Sequence, residues 1–202
     1  LGLGVNTAIF TVIHAVMRQQ LPVAHAPQLY RLGEGNDCCV NSGLQDDYSL
    51  FSTRLFAHLR ETTSSSFETL AAVQANVTPV GVRRSGSDVT ESLPSSYVSA
   101  SYFQTLGVTP AAGRLLEPAD DAPGAAPVFV ASHRTWTHRM AADPSAIGAT
   151  FLVGGRAMTL AGVTAPSFYG ETVRPEPAGI WLPLGQETAI RGATALADRT
   201  GS

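Results

Sequence analysis

The chain has 202 residues, of which 44% are hydrophobic, and a formal net charge of −3. That is enough apolar material to bury a real core, so disorder throughout is excluded. All thirteen basic residues are arginine and only Arg83 and Arg84 are adjacent, which argues against a nucleic-acid surface; the lack of lysine removes a Walker phosphate loop, Schiff-base chemistry and a Ser-Lys dyad.

The first seventeen residues, LGLGVNTAIFTVIHAVM, are apolar on almost every side. They fall slightly short of the ~20 residues that span a bilayer and begin mid-pattern, so we read residues 1–20 as the outer part of a transmembrane helix that meets lipid through residues 1–17. A buried core helix is the alternative reading, because periodicity alone does not separate the two. Arg18, Gln19 and Gln20 mark the exit, Leu21-Pro22 ends or turns the helix, and PQLYRL at 27–32 fits a short strand. The Gly-, Asn- and Asp-rich stretch from Gly33 to Asp47 is a long loop around Cys38 and Cys39. Adjacent cysteines close only a strained ring, nothing cationic beside them lowers a thiol pKa, and zinc lacks ligands, so they read as loop thiols. Long loops carry contacts, which makes this one a candidate partner surface.

From Tyr48 to Arg60, apolar residues recur at Tyr48, Phe51, Leu55 and Leu59, an amphipathic helical stripe. His58 has no second ligand at helical spacing and reads as a solvated side chain. LAAVQANVTPVGVRR is then extended, interrupted at Pro79, and Ser85-Gly86-Ser87-Asp88 is turn chemistry. The strands on either side of it are expected to form a hairpin with Arg83 and Arg84 at its tip. These two arginines join Cys38 and Cys39 as candidate partner-surface residues.

The run Tyr97–Arg114, YVSASYFQTLGVTPAAGR, organises the rest. It predicts a strand end, a helix of barely two turns with Ser101 as N-cap and Gln104 as capping-box partner, and Gly107 as the left-handed C′ residue. Tyr102, Phe103 and Leu106, with Val108, would face a core. RLLEPADDAPGAAP reads as an acidic, solvated connector; Glu117, Asp120 and Asp121 do not have EF-hand spacing. Val128–Ala131 reads as a buried strand and Ser132 as the cap of a helix from His133 to Met140, with Trp136 and Met140 on one face. Gly154-Gly155 is a two-residue turn between strands Thr150–Val153 and Arg156–Val163. IWLPL is a short buried strand, and residues 185–202 are a loose or severed tail.

No G-x-S-x-G elbow, His-Glu-x-x-His, phosphate loop or Cys-x-x-Cys occurs, so neither catalysis, a cofactor nor a bound metal is expected.

YVSASYFQTLGVTPAAGR, taken with PVFVASHRTW, DPSAIGATFLVGGRAMTLAGVTAPSF and IWLPL, resembles the periplasmic core domain of MacB-like (FtsX-like) ABC transporter permeases, the group without a fused ATPase. The likeness runs from near Arg18 to about Leu184. It implies an α+β fold of mixed small sheets and short helices: residues 21–98 as the first half of a porter-like split βαβ unit, and 99–184 as an inserted sabre-like α/β subdomain. It also implies a place in the bacterial inner membrane with the folded part on the periplasmic side. The implied partners are a separate cytoplasmic ABC ATPase, a second permease copy, a periplasmic adaptor and an outer-membrane channel, with no catalytic residues in the domain. Because the returning half of the porter-like unit is missing, an exposed apolar sheet edge is expected. A stand-alone peptide- or lipid-binding module and an uncharacterised hydrolase are the alternatives from other classes.

Overall fold

A computed structural model describes residues 28–30, 32, 53–122, 124–171, 174–187 and 190. The expected transmembrane helix, the Cys38-Cys39 loop, the start of the amphipathic helix and most of the tail lie outside the described residues. The described start of the tail is not loose, since Leu184–Gln186 form a 3-10 turn, Gln186 and Glu187 are buried and Ile190 packs on the core. Among those described, no helix is long and apolar enough to cross a membrane. The elements are α1 (Thr53–Thr62), β1 (Thr78–Arg84), β2 (Glu91–Val98), α2 (Tyr102–Thr105), β3 (Pro110–Gly113), β4 (Val128–Ala131), α3 (His133–Arg139), β5 (Thr150–Val153), β6 (Arg156–Thr164) and β7 (Ile180–Pro183).

The seven strands among the described residues form one mixed sheet in the order β3-β6-β4-β7-β2-β1-β5, and β5 also pairs with β6. Six strands therefore close into a ring, with β3 appended. The expectation of several small sheets is corrected by this closure. Its physical basis is the length of β6. Nine residues leave room for β5 along Arg156–Thr159 and β3 along Gly162–Thr164, while β4 runs parallel to β6 from Thr159 to Val163. The expected apolar open edge is corrected by the same closure. The sheet's terminal strand is β3, four largely exposed residues opened by a proline that offers no N–H to a further strand.

The period-2 pattern of the strands sorts their side chains into two cores. Inside the ring, each of the six strands contributes two apolar residues from one face: Val80 and Val82, Leu93 and Tyr97 on either side of Ser95, Phe129 and Ala131, Phe151 and Val153, Met158 and Leu160, Ile180 and Leu182. Outside it, Val98, Val128, Val130 and Trp181 face a second cluster that is covered by Tyr102 and Phe103 of α2, by Leu115 and Leu116, and by Phe168. The four rings Tyr102, Phe103, Phe168 and Trp181 meet mostly edge to face, with centroids 5.2–6.2 Å apart. A four-residue helix too short to persist alone is thus held by what it covers.

Local chemistry mostly follows the sequence. β1 and β2 are antiparallel, with Thr78 opposite Ser95 and Val82 opposite Glu91. Gly154 and Gly155 take φ of 57° and 83°, the positive values that a two-residue hairpin needs, and Val153 lies opposite Arg156. Ser132 Oγ accepts the Thr135 N–H, capping α3. Gly107 ends α2 with φ of 63°. Ser101 differs from expectation: it makes no capping hydrogen bond. Its hydroxyl instead donates to the Leu70 carbonyl at 2.7 Å and lies 3.0 Å from Ser99 Oγ. The segment before β1 needed that donor, since residues 72–74 run against the end of β2 without forming a full strand.

Candidate functional site

Of the four residues singled out from the sequence, Arg83 and Arg84 are described and sit at the tip end of the β1–β2 hairpin. Arg83 Nη1 donates to the Ser87 carbonyl at 3.1 Å, which closes the turn on itself. Arg84 reaches across to the connection between α3 and β5. Its Nη1 pairs with Asp143 Oδ2 at 2.7 Å, and its Nη2 donates to the carbonyl and hydroxyl oxygens of Ser145 at 3.2 and 3.0 Å. Arg84 alone is thus brought together with Asp143 and Ser145, and its strand neighbour Arg83 is not. Cys38 and Cys39 lie outside the described residues.

Asp143 is itself pre-organised. It accepts the Ser145 N–H and hydroxyl at 2.8 and 2.7 Å. The Ser145 hydroxyl, then Arg84 and the Ser145 N–H, hold its carboxyl down at about 2. A carboxyl depressed on folding stabilises the fold above its unfolded value, about 4, and that contribution disappears as pH falls toward 2. Asp143→Asn is therefore expected to lower the melting temperature by a constant amount above about pH 4. The gap should close between about pH 4 and pH 2, as read by circular-dichroism melts. A gap unchanged at low pH would refute the role of the charge.

Between this hairpin tip and the end of α3 lies a cleft of about 310 Å³. Val82, Leu93, Met140 and Phe151 form its apolar floor, Val89 stands exposed at its lip, and Arg84, Glu91, Arg139 and Asp143 are spaced along its wall. The chain leaves α3 through Ala141 and Ala142, each with φ of 52°, an unusual conformation for residues with a Cβ. That bend returns Asp143 to Arg84. The sequence marked Arg84 through the turn beside it, but gave no sign that Glu91 and Arg139, from distant segments, would share a wall.

The acidic connector is also corrected. Asp120 is buried, with Arg114 bidentate on it at 2.7 and 2.9 Å and the Glu117 N–H at 2.8 Å. Burial alone would raise its pKa, but the guanidinium and N–H hydrogen bonds outweigh that and lower it. Asp121 accepts the Ala100 N–H at 2.6 Å. The connector is a strap fastened through Leu115, Leu116, Asp120 and Asp121 beside the start of α2, with Glu117 to Ala119 left in solvent. No group of three or more His, Cys, Asp or Glu arranged to hold a metal occurs among the described residues. Tyr102 donates to Glu171 at 2.6 Å, and burial first, then the charge of Glu171, pushes its ionisation far above the usual range, so the phenol is a fixed donor.

Among the described residues the helices are of ten residues or fewer, the ring is filled by apolar side chains, and Asp120, Asp121 and Asp143 are spent on fastening loops. The sequence profile of the MacB-like periplasmic core domain matches residues 1–200. The chain belongs to this family.

As a MacB-like periplasmic core domain, it is part of an ABC transporter permease of that type and is not itself an enzyme. No curated protein matches it. Among solved structures, the extracellular domain of the noncanonic ABC-type transporter YknZ from Gram-positive bacteria is similar at 13% identity and a TM-score of 0.52, covering 71% of this chain and 67% of that one. That likeness supports the mixed α/β fold. The periplasmic region of MacB from Actinobacillus actinomycetemcomitans aligns at 17% identity and a TM-score of 0.46, covering 72% of this chain and 58% of that one. A domain of a putative permease protein from Porphyromonas gingivalis aligns at 15% and 0.45, covering 62% and 56%. This MacB-like domain thus spans little more than half the length of the latter two.

Proposed function

We propose that this MacB-like domain is the extracytoplasmic head of a permease in the bacterial inner membrane, tethered through residues 1–17 in lipid. In this reading it couples ATP hydrolysis by a separate cytoplasmic ABC ATPase to export or mechanical transmission across the envelope. The permease works as a homodimer, and a periplasmic adaptor and an outer-membrane channel are further partners. Residues 21–98 are the first half of a porter-like subdomain and 99–184 a sabre-like subdomain, and Cys38, Cys39, Arg83 and Arg84 are the residues at which a partner is met.

The family match over residues 1–200 carries the reading. The ring adds support, because a closed sheet packed on both faces deforms little and passes displacement on as a unit. The test is to express the complete gene product with a tag, fractionate the cells and challenge spheroplasts with protease. Recovery in the membrane fraction, digestion of the domain from outside and co-purification of an ABC ATPase in detergent are expected. Recovery in the soluble fraction with no ATPase attached would overturn it.

A further inference from the structure

The cleft at the hairpin end of the ring is built as a binding site with one unfinished polar pair. Its floor is apolar, made by Val82, Leu93, Met140 and Phe151, and its volume of about 310 Å³ lies at the small end of ligand-holding clefts. Arg84 and Asp143 on its wall are fully engaged with each other and with Ser145. Glu91 and Arg139 are not. Arg139 Nη1 stands 3.6 Å from Glu91 Oε2, an ion pair beyond hydrogen-bond reach, and that buried oxygen accepts no hydrogen bond. The Arg139 side chain is 61% exposed, so it is free to swing and to offer its N–H groups elsewhere.

We infer that this cleft docks a polypeptide segment of a partner protein, which inserts one bulky apolar side chain onto the floor while its main-chain amides engage Glu91 and Arg139. The charge arrangement selects this occupant. Two arginines face two carboxylates, so the wall has no net charge with which to hold a phosphate, a lipid headgroup or a free cation. A backbone amide, by contrast, brings one donor and one acceptor, which is what a carboxylate and a guanidinium side by side can each use. Exposed Val89 at the lip, 67% accessible, extends the apolar path to the surface. The inference deepens the partner-surface reading above and rests on it for the nature of the occupant, but not on ATPase coupling.

The test is a titration of the isotope-labelled full chain, followed by amide chemical shifts, with the blocked tripeptides Ac-Ala-X-Ala-NH2 where X is Leu, Phe, Asp or Lys, and with inorganic phosphate and a short-chain phosphatidylcholine as competing chemistries. Shifts confined to residues 82–93, 139–143 and 151 are expected with Leu and Phe alone. Glu91→Gln is expected to weaken the Phe peptide about tenfold, the loss of one charged hydrogen bond. Val89→Asp, on the surface and unable to disturb the core, should weaken it as well, while the exposed control Glu176→Gln should not. Equal or stronger shifts with phosphate or phospholipid, or none with any peptide, would overturn the inference. Either result leaves the transporter reading standing, since that is decided by fractionation and ATPase co-purification.

Discussion

Trp181→Ala is expected to lower the unfolding free energy by about 3–5 kcal/mol, the range for removing a large buried aromatic. Trp181 is fully buried on β7, a strand with a partner on either side: β2 through Ser96 and β4 through Val130. Its indole is the base of the outer core, 5.6 Å from the Phe103 ring and 5.4 Å from Phe168. Without it, α2 loses the surface that it covers, and four residues of helix do not close the cavity by themselves. Urea denaturation measures this through a lower midpoint at an unchanged slope. A loss below about 1 kcal/mol would mean that the outer core is not cooperative with the ring.

Gly162→Ala is expected to be comparably damaging, about 4 kcal/mol or roughly 8–16 °C in melting temperature, although it adds a single methyl group. A Cβ there would lie 2.6 Å from both the Ala112 carbonyl oxygen and the Arg114 nitrogen, which are main-chain atoms with no rotamer to give way. β3 would have to leave β6, and the Arg114–Asp120 pair that fastens the strap moves with it. Gly155→Ala is the contrast. Its Cβ would meet nothing, and only the positive φ of 83° opposes it, so about 1 kcal/mol is expected. Thermal melts of the two variants side by side distinguish close approach from backbone strain, and equal losses would refute the packing account.

What the sequence made legible was short-range. The Gly154-Gly155 hairpin, the Ser132 cap, the inward face of α2 and the β1–β2 turn each depend on residues within a few positions, where φ preference and side-chain period act directly. The ring was not legible, because its closure depends on β5 and β3 sharing one edge of β6, and no local pattern records which strand lies beside which. β3 itself was hidden because Pro110 and Gly113 are poor strand formers, whereas Gly113 is needed for its close passage over Ala161 and Gly162. The acidic connector was misread for a related reason. Asp120 looks solvated until Arg114 is folded back onto it. At the cleft, Arg84 was found through its turn, but Glu91 and Arg139 come together only when β2 and α3 are placed.

The parallel pairing of β2 with β7 sets Ser95 beside Ile180. A chain synthesised from its N-terminus presents Ser95 long before Ile180, so the circle of strands has a vacancy until nearly the end of the described sequence has emerged. Closure of the ring is consequently a late event in folding, because the strand that completes it is the last of the seven described to be made.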